Sequence, residues 1–256
     1  SLQQKPETGD TRYQRMRRVT LVGSVIDLIL GLLKIIFGYT AQSQALIADG
    51  VHSLSDLVTD FMVLIAAKHG SRDADDEHPY GHGRIETMAT ALLGLALMLV
   101  ALGIVWDAFN RMFHPEKLLQ PGVAAIVVAL ISVAAKEWVY HYTMRLAVEL
   151  KSEMLKANAW HSRSDAISSI IVVFGVVGTM AGLPYLDAIA AVGVGLMIAH
   201  IAWELGWQAV KELVDVGLEA ERLAKIRQII LAIGGVRAIH MLRTRKIGGQ
   251  ATVDVH

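Results

Sequence analysis

Ala45-Leu-Ile-Ala-Asp-Gly-Val-His-Ser-Leu-Ser-Asp-Leu-Val-Thr-Asp-Phe-Met-Val-Leu-Ile-Ala-Ala-Lys68 is 24 residues of mainly apolar chain that nevertheless carries His52 and Asp56. About 20 apolar residues span a bilayer as a helix. A spacing of four sets both polar side chains on one helical face. The same His-x-x-x-Asp spacing returns at His161 and Asp165, inside a second apolar stretch. Ionisable groups are costly in lipid and so mark functional positions that need a partner. Each pair supplies that partner for the other: two imidazoles and two carboxylates facing one divalent cation.

Five further apolar runs surround this one, at 19–39, 85–109, 122–142, 157–181 and 186–210. The expected architecture is an all-α, six-helix transmembrane bundle over residues 19–210, preceded by a polar tail, 1–18. The fourth run contains Lys136 and Glu137, and the fifth opens on His161, Arg163 and Asp165, which lowers the hydropathy of both. Composition agrees with membrane helices: 54% of the 256 residues are hydrophobic but only 6% aromatic. A soluble helical bundle is the bland alternative, and such long apolar runs disfavour it.

Basic residues fix the expected orientation, because they collect on the cytoplasmic side. Lys5, Arg12, Arg15, Arg17 and Arg18 precede the first run; Lys68, Arg72 and Arg84 border the second connection; Arg145, Lys151 and Lys156 border the fourth. The intervening connections carry only Arg111 and Lys117. Both termini are therefore expected in the cytoplasm.

Residues 211–256 change character. Leu223, Ile226, Ile230 and Ile233 lie at helical spacing over 219–233, and Gly234-Gly235 stops that helix. Strands are predicted over 236–245 and 250–256. This reads as the beginning of a cytoplasmic α+β (ferredoxin-like) domain with too few residues to close a core, so the domain is expected to continue past His256.

The chemistry follows from the donors. Two neutral imidazoles and two carboxylates form a tetrahedral N2O2 set, which suits Zn2+ and admits Cd2+, Co2+ or Fe2+. The chain has no cysteine, which excludes thiolate sites and disulfides. Net charge is zero, so nothing points to nucleic acid. A second candidate set is Asp75, His78 and His82 in a shaped, Pro- and Gly-containing connection, where Asp73, Asp76 and Glu77 would attract cations. His240 and His256 form a third, weaker set. Asp60 continues the face of His52 and Asp56. Asp27, Lys34, Asp187 and Glu204 read as groups that satisfy neighbouring helices or lie near interfaces, and Gly175, Gly178, Gly182, Gly193 and Gly195 as close-packing positions.

Leu46-Ile-Ala-Asp-Gly-Val-His-Ser-Leu-Ser-Asp, His78-Pro-Tyr-Gly-His-Gly-Arg, Trp160-His-Ser-Arg-Ser-Asp and Leu242-Arg-Thr-Arg, in this order, resemble the cation diffusion facilitator family, closest to its bacterial zinc and iron efflux branch. The resemblance covers the whole chain. It implies a homodimer, multi-pass in the bacterial cytoplasmic (inner) membrane, that exports divalent metal in exchange for protons. It carries the transport site onto His52, Asp56, His161 and Asp165, and a loop site onto Asp75, His78 and His82. It also implies an incomplete cytoplasmic-domain site at His240 and His256, and a dimer-locking pair at Arg84 and Asp215. Zn2+ is the implied substrate, with a structural ion as a second use. His52 stands where well-known bacterial zinc members have Asp, which resembles the zinc-selective eukaryotic members and disfavours manganese. A scaffold or metal sensor that has kept the fold would be expected to lack a ligand, and none is missing from the membrane set. A membrane metalloenzyme would need an open zinc position and a catalytic motif, and neither His-Glu-x-x-His nor Gly-x-Ser-x-Gly occurs.

Overall fold

The computed structural model describes residues 9–70, 83–118, 120–150, 153–247 and 250–256. Its long elements are α1 (Gly9–Thr40), α2 (Gln44–Gly70), α3 (Gly83–Phe113), α4 (Val123–Glu149), α5 (Glu153–Met180) and α6 (Leu186–Leu213). The shorter α7 (Ala220–Leu231) and an antiparallel pair, β1 (Arg243–Ile247) and β2 (Gln250–Asp254), follow. Helices α1, α3, α4, α5 and α6 each carry a stretch long and apolar enough to cross a membrane. Most helices overrun the apolar runs. The polar segment expected as a tail is helical from Gly9, because water and headgroups do not interrupt backbone hydrogen bonds that the helix makes internally.

The chain divides into two compact units, one of residues up to Leu57 together with Val100–Ile198, the other of Val58–Leu99 with Ala199–His256. In the first unit many of the buried positions are small. Ala125, Ala129 and Ala147 of α4 and Ala159 and Ala166 of α5 are covered, while Leu130, Ile131, Trp138, Ile167 and Phe174 face outward. Small residues inside and large apolar ones outside is the arrangement of helices that pack closely in lipid. Between α5 and α6, Gly182 takes a φ of 102°, and Thr179 Oγ1 accepts the Asp187 N–H at 2.9 Å. Gly182 thus serves the turn rather than close packing, and an added Cβ at Gly193 would meet open space. Leu186 and Ala190 do lie against Gly175, as close packing requires.

Asp187 also fixes the start of α2. Its carboxylate accepts the Gln44 N–H at 2.8 Å and the Ser43 hydroxyl at 2.6 Å, and Ser43 Oγ accepts the Leu46 N–H at 3.2 Å. Orphan N–H groups at a helix start are thereby satisfied.

In the second unit α3 and α6 approach closely at Gly94, where a Cβ would sit 2.9 Å from the Gly206 backbone nitrogen. Farther along, Thr87 donates to Glu212 at 2.9 Å and Arg84 to Asp215 at 2.8 Å. Leu218 N–H donates to Thr244 Oγ1 at 3.0 Å, joining the end of α6 to β1. The strand expected over 236–245 is confined to Arg243–Ile247: Met241 has a φ of 53°, which breaks an extended run.

Candidate metal centre

Helices α2 and α5 meet in three rungs that run in opposite directions along the two chains. Asp49 accepts hydrogen bonds from Ser168 and, at 2.7 Å, from Ser169. One turn on, His52 Nε2 lies 3.4 Å from Asp165 Oδ1. Another turn on, His161 Nε2 lies 3.6 Å from Asp56 Oδ2. The helices are antiparallel here, so each imidazole meets the carboxylate of the opposite helix. Within each helix the distances are similar: 3.7 Å for His52 to Asp56 and 3.8 Å for His161 to Asp165.

Ligand atoms of His52, Asp56 and Asp165 all lie within 4.8 Å of one another. A tetrahedral zinc with bonds of about 2.0 Å has ligand–ligand edges of about 3.3 Å. The His–carboxylate separations of 3.4–3.8 Å approach that edge, while the three-residue group extends to as much as 4.8 Å and does not include His161. His52 and Asp165 are buried, while the His161 side chain is half exposed. Among the described residues, His52 Nδ1 and Asp56 Oδ2 are buried polar atoms with no hydrogen-bond partner. Such atoms are costly unless something completes them.

Two buried lysines border the centre. Lys34 of α1 donates to Ser53 at 3.0 Å and lies 2.9 Å from Asp49, tying α1 to the α2–α5 contact. Lys136 of α4 lies 2.8 Å from Asp165 Oδ2 and also donates to Asp27 of α1. Ser132, one turn before Lys136, shares a hydrogen bond with Ser169 at 2.9 Å. Thus α1 and α4 hold the second layer around the four candidate ligands. Asp27 and Lys34 do satisfy neighbouring helices. Lys136, read from sequence only as an interruption of hydropathy, is part of the site. Its signal was a lysine in the middle of an apolar run, but the run alone names no partner for it.

Arg163, near the start of α5, lies 3.2 Å from Glu137 and 4.3 Å over the Tyr140 ring. The loop set Asp75, His78 and His82 falls outside the described residues, as does the side chain of Asp60. His240 and His256 are exposed and exchange both backbone hydrogen bonds, at 2.6 and 3.0 Å, which sets them opposite one another beyond the β1–β2 ladder. Arg84 and Asp215 form the expected ion pair.

Residues 20–214 match the family model of the cation efflux transmembrane domain, and residues 218–256 that of the cation efflux protein cytoplasmic domain. The chain belongs to the cation diffusion facilitator family. Members of this family are metal transporters, and the chain is accordingly an integral, multi-pass membrane protein. It is 36% identical to metal tolerance protein C1 of Arabidopsis thaliana over 93% of its own length and 54% of that protein's. The manganese efflux system protein MneS of Bacillus subtilis is 32% identical, with 95% and 84% covered. The magnetosome protein MamB of Magnetospira sp. is 31% identical, with 86% and 75% covered. The chain thus spans about half the length of its Arabidopsis relative.

Proposed function

We propose that this facilitator exports a divalent transition metal, best Zn2+, from the cytoplasm against protons by alternating access, with His52, Asp56, His161 and Asp165 as the transport site. The observation that carries this reading is the crossed pairing of two imidazoles and two carboxylates at 3.4–3.8 Å between apolar helices, with His52 and Asp165 buried and His161 half exposed. Metal binding requires neutral imidazoles and ionised carboxylates, so a proton on a ligand and a metal at the site exclude one another. An imidazole ordinarily titrates near pH 6.5, which makes it a carrier suited to both sides of a membrane. Rocking of the helices would expose the site first to the cytoplasm and then to the outside.

In this reading α2, 27 residues long, is the sixth span, and both termini are cytoplasmic. The cytoplasmic segment joins two copies, with Arg84 and Asp215 locking the dimer. Asp75, His78 and His82 collect ions at the entrance, and His240 with His256 contributes to a cytoplasmic site. The names of the Bacillus relatives favour a second reading, with Mn2+ as cargo. Two nitrogen donors argue for the softer Zn2+ over the oxygen-preferring Mn2+.

Proteoliposomes test both. An outward-acidic gradient should accelerate Zn2+ export in the native chain and leave it at background in Asp165→Ala. Zinc flux indifferent to the gradient would reject antiport. Mn2+ carried in clear preference to Zn2+ would select the second reading.

A further inference from the structure

Lys136 puts an ammonium beside a carboxylate of the proposed transport site. Its side chain is 1% exposed and its ammonium lies 2.8 Å from Asp165 Oδ2, the same oxygen that faces His161 at 3.8 Å. The ammonium has a second carboxylate, Asp27 of α1, whose side chain is 24% exposed and is none of the four candidate ligands. We infer that Lys136 is an internal competitor of the metal: its ammonium holds Asp165 while the site is empty and is retained by Asp27 when a dication takes Asp165. This deepens the transport reading and rests on it.

Charge and distance both support this arrangement. Asp27 and Asp165 both pair with Lys136, and Asp56 lies opposite His161, so three carboxylates and one ammonium leave two net negative charges when the imidazoles are neutral. One dication brings that group to neutrality. A monovalent ion would leave charge uncompensated in a poorly screened interior, and a trivalent ion would exceed it. A metal ion and an ammonium on one carboxylate repel each other, so arrival of the metal favours moving the ammonium onto Asp27. Asp27 lets it move without becoming an unpaired buried charge, the costly state for a lysine in this setting. The same repulsion helps to expel the metal when the site opens outward. A transporter gains from this because its site must release what it binds; without Lys136 the cluster would hold its ion too tightly to cycle.

The test uses the purified full chain, with Co2+ as a visible-absorbing probe and Zn2+ flux in proteoliposomes. Lys136→Gln should tighten Co2+ binding by about tenfold or more, consistent with loss of a like charge beside the site, and should slow flux at saturating Zn2+. Asp27→Asn, which commits the ammonium to Asp165, should weaken Co2+ binding by about tenfold on the same reasoning. The double variant should return near the native affinity. If Lys136→Gln does not purify as a folded protein, Asp27→Asn alone decides, since native affinity in that variant contradicts the handover. Lys136→Gln binding Co2+ no tighter than the native chain overturns the inference. A tetrahedral Co2+ spectrum with full flux in Asp165→Ala would reject the transport site itself, a different result from either.

Discussion

Lys34 and Asp49 form an ion pair at 2.9 Å in which neither side chain is exposed to any extent. Asp49 is further bound by Ser168 and Ser169, and Lys34 by Ser53, so every charge in the pair has several polar neighbours. The two serine contacts of Asp49 set α2 against α5, and with them the register that opposes His52 to Asp165, while Lys34 ties α1 to that contact.

Removing one member should therefore be severe. Breaking a buried pair leaves an uncompensated charge and costs about 3–5 kcal/mol. Lys34→Met or Asp49→Leu alone should lower the thermal midpoint in detergent sharply, and the double replacement should recover much of the loss. Equal losses in the single and double variants would show that the pair does not act as a unit.

Substitutions at the four crossed residues should separate transport from folding. His52→Ala and Asp56→Ala are expected to abolish Zn2+ flux while the purified protein keeps its helical circular dichroism. Asp56→Ala should be the milder for stability, because its Oδ2 has no hydrogen-bond partner to lose. Retained flux in either variant would remove that residue from the site.

Metal affinity should fall as pH falls. The metal-loaded site excludes ligand protons, whereas the empty site binds them, so acid favours the empty form. Each histidine that carries a proton in the empty site and must lose it to bind weakens apparent affinity by up to about tenfold per pH unit. Competition against a Zn2+ dye at stepwise lower pH should show this slope. It should flatten in His161→Ala.

Arg84 and Asp215 are each nearly half exposed, and such pairs contribute about 0–1 kcal/mol. Arg84→Ala should barely move the thermal midpoint. If the pair locks two copies, the same variant should raise the monomer fraction measured by light scattering. The swapped variant, Arg84→Asp with Asp215→Arg, should restore the dimer.

Much of this molecule is legible in its residues. Apolar runs of about 20 residues dictate spanning helices, because a backbone in lipid must satisfy its own hydrogen bonds. Spacings of four at His52–Asp56 and His161–Asp165 dictate two polar faces. Helix ends were less legible: α1 begins at Gly9, well before its apolar run, since polar residues do not stop a helix. The strand expected from 236 was shortened by the left-handed backbone at Met241, for which no glycine gave warning.

What only the tertiary structure decided is which charge meets which. Nothing in the local chain says that Asp165 faces both His52 and Lys136, or that Asp27 shares that lysine, because those contacts join residues from 29 to 113 positions apart. Spacing along a helix fixes which side chains share a face. The antiparallel crossing of α2 and α5, held by Asp49 against two serines, fixes what that face confronts, and in a low-dielectric interior that opposition determines the chemistry.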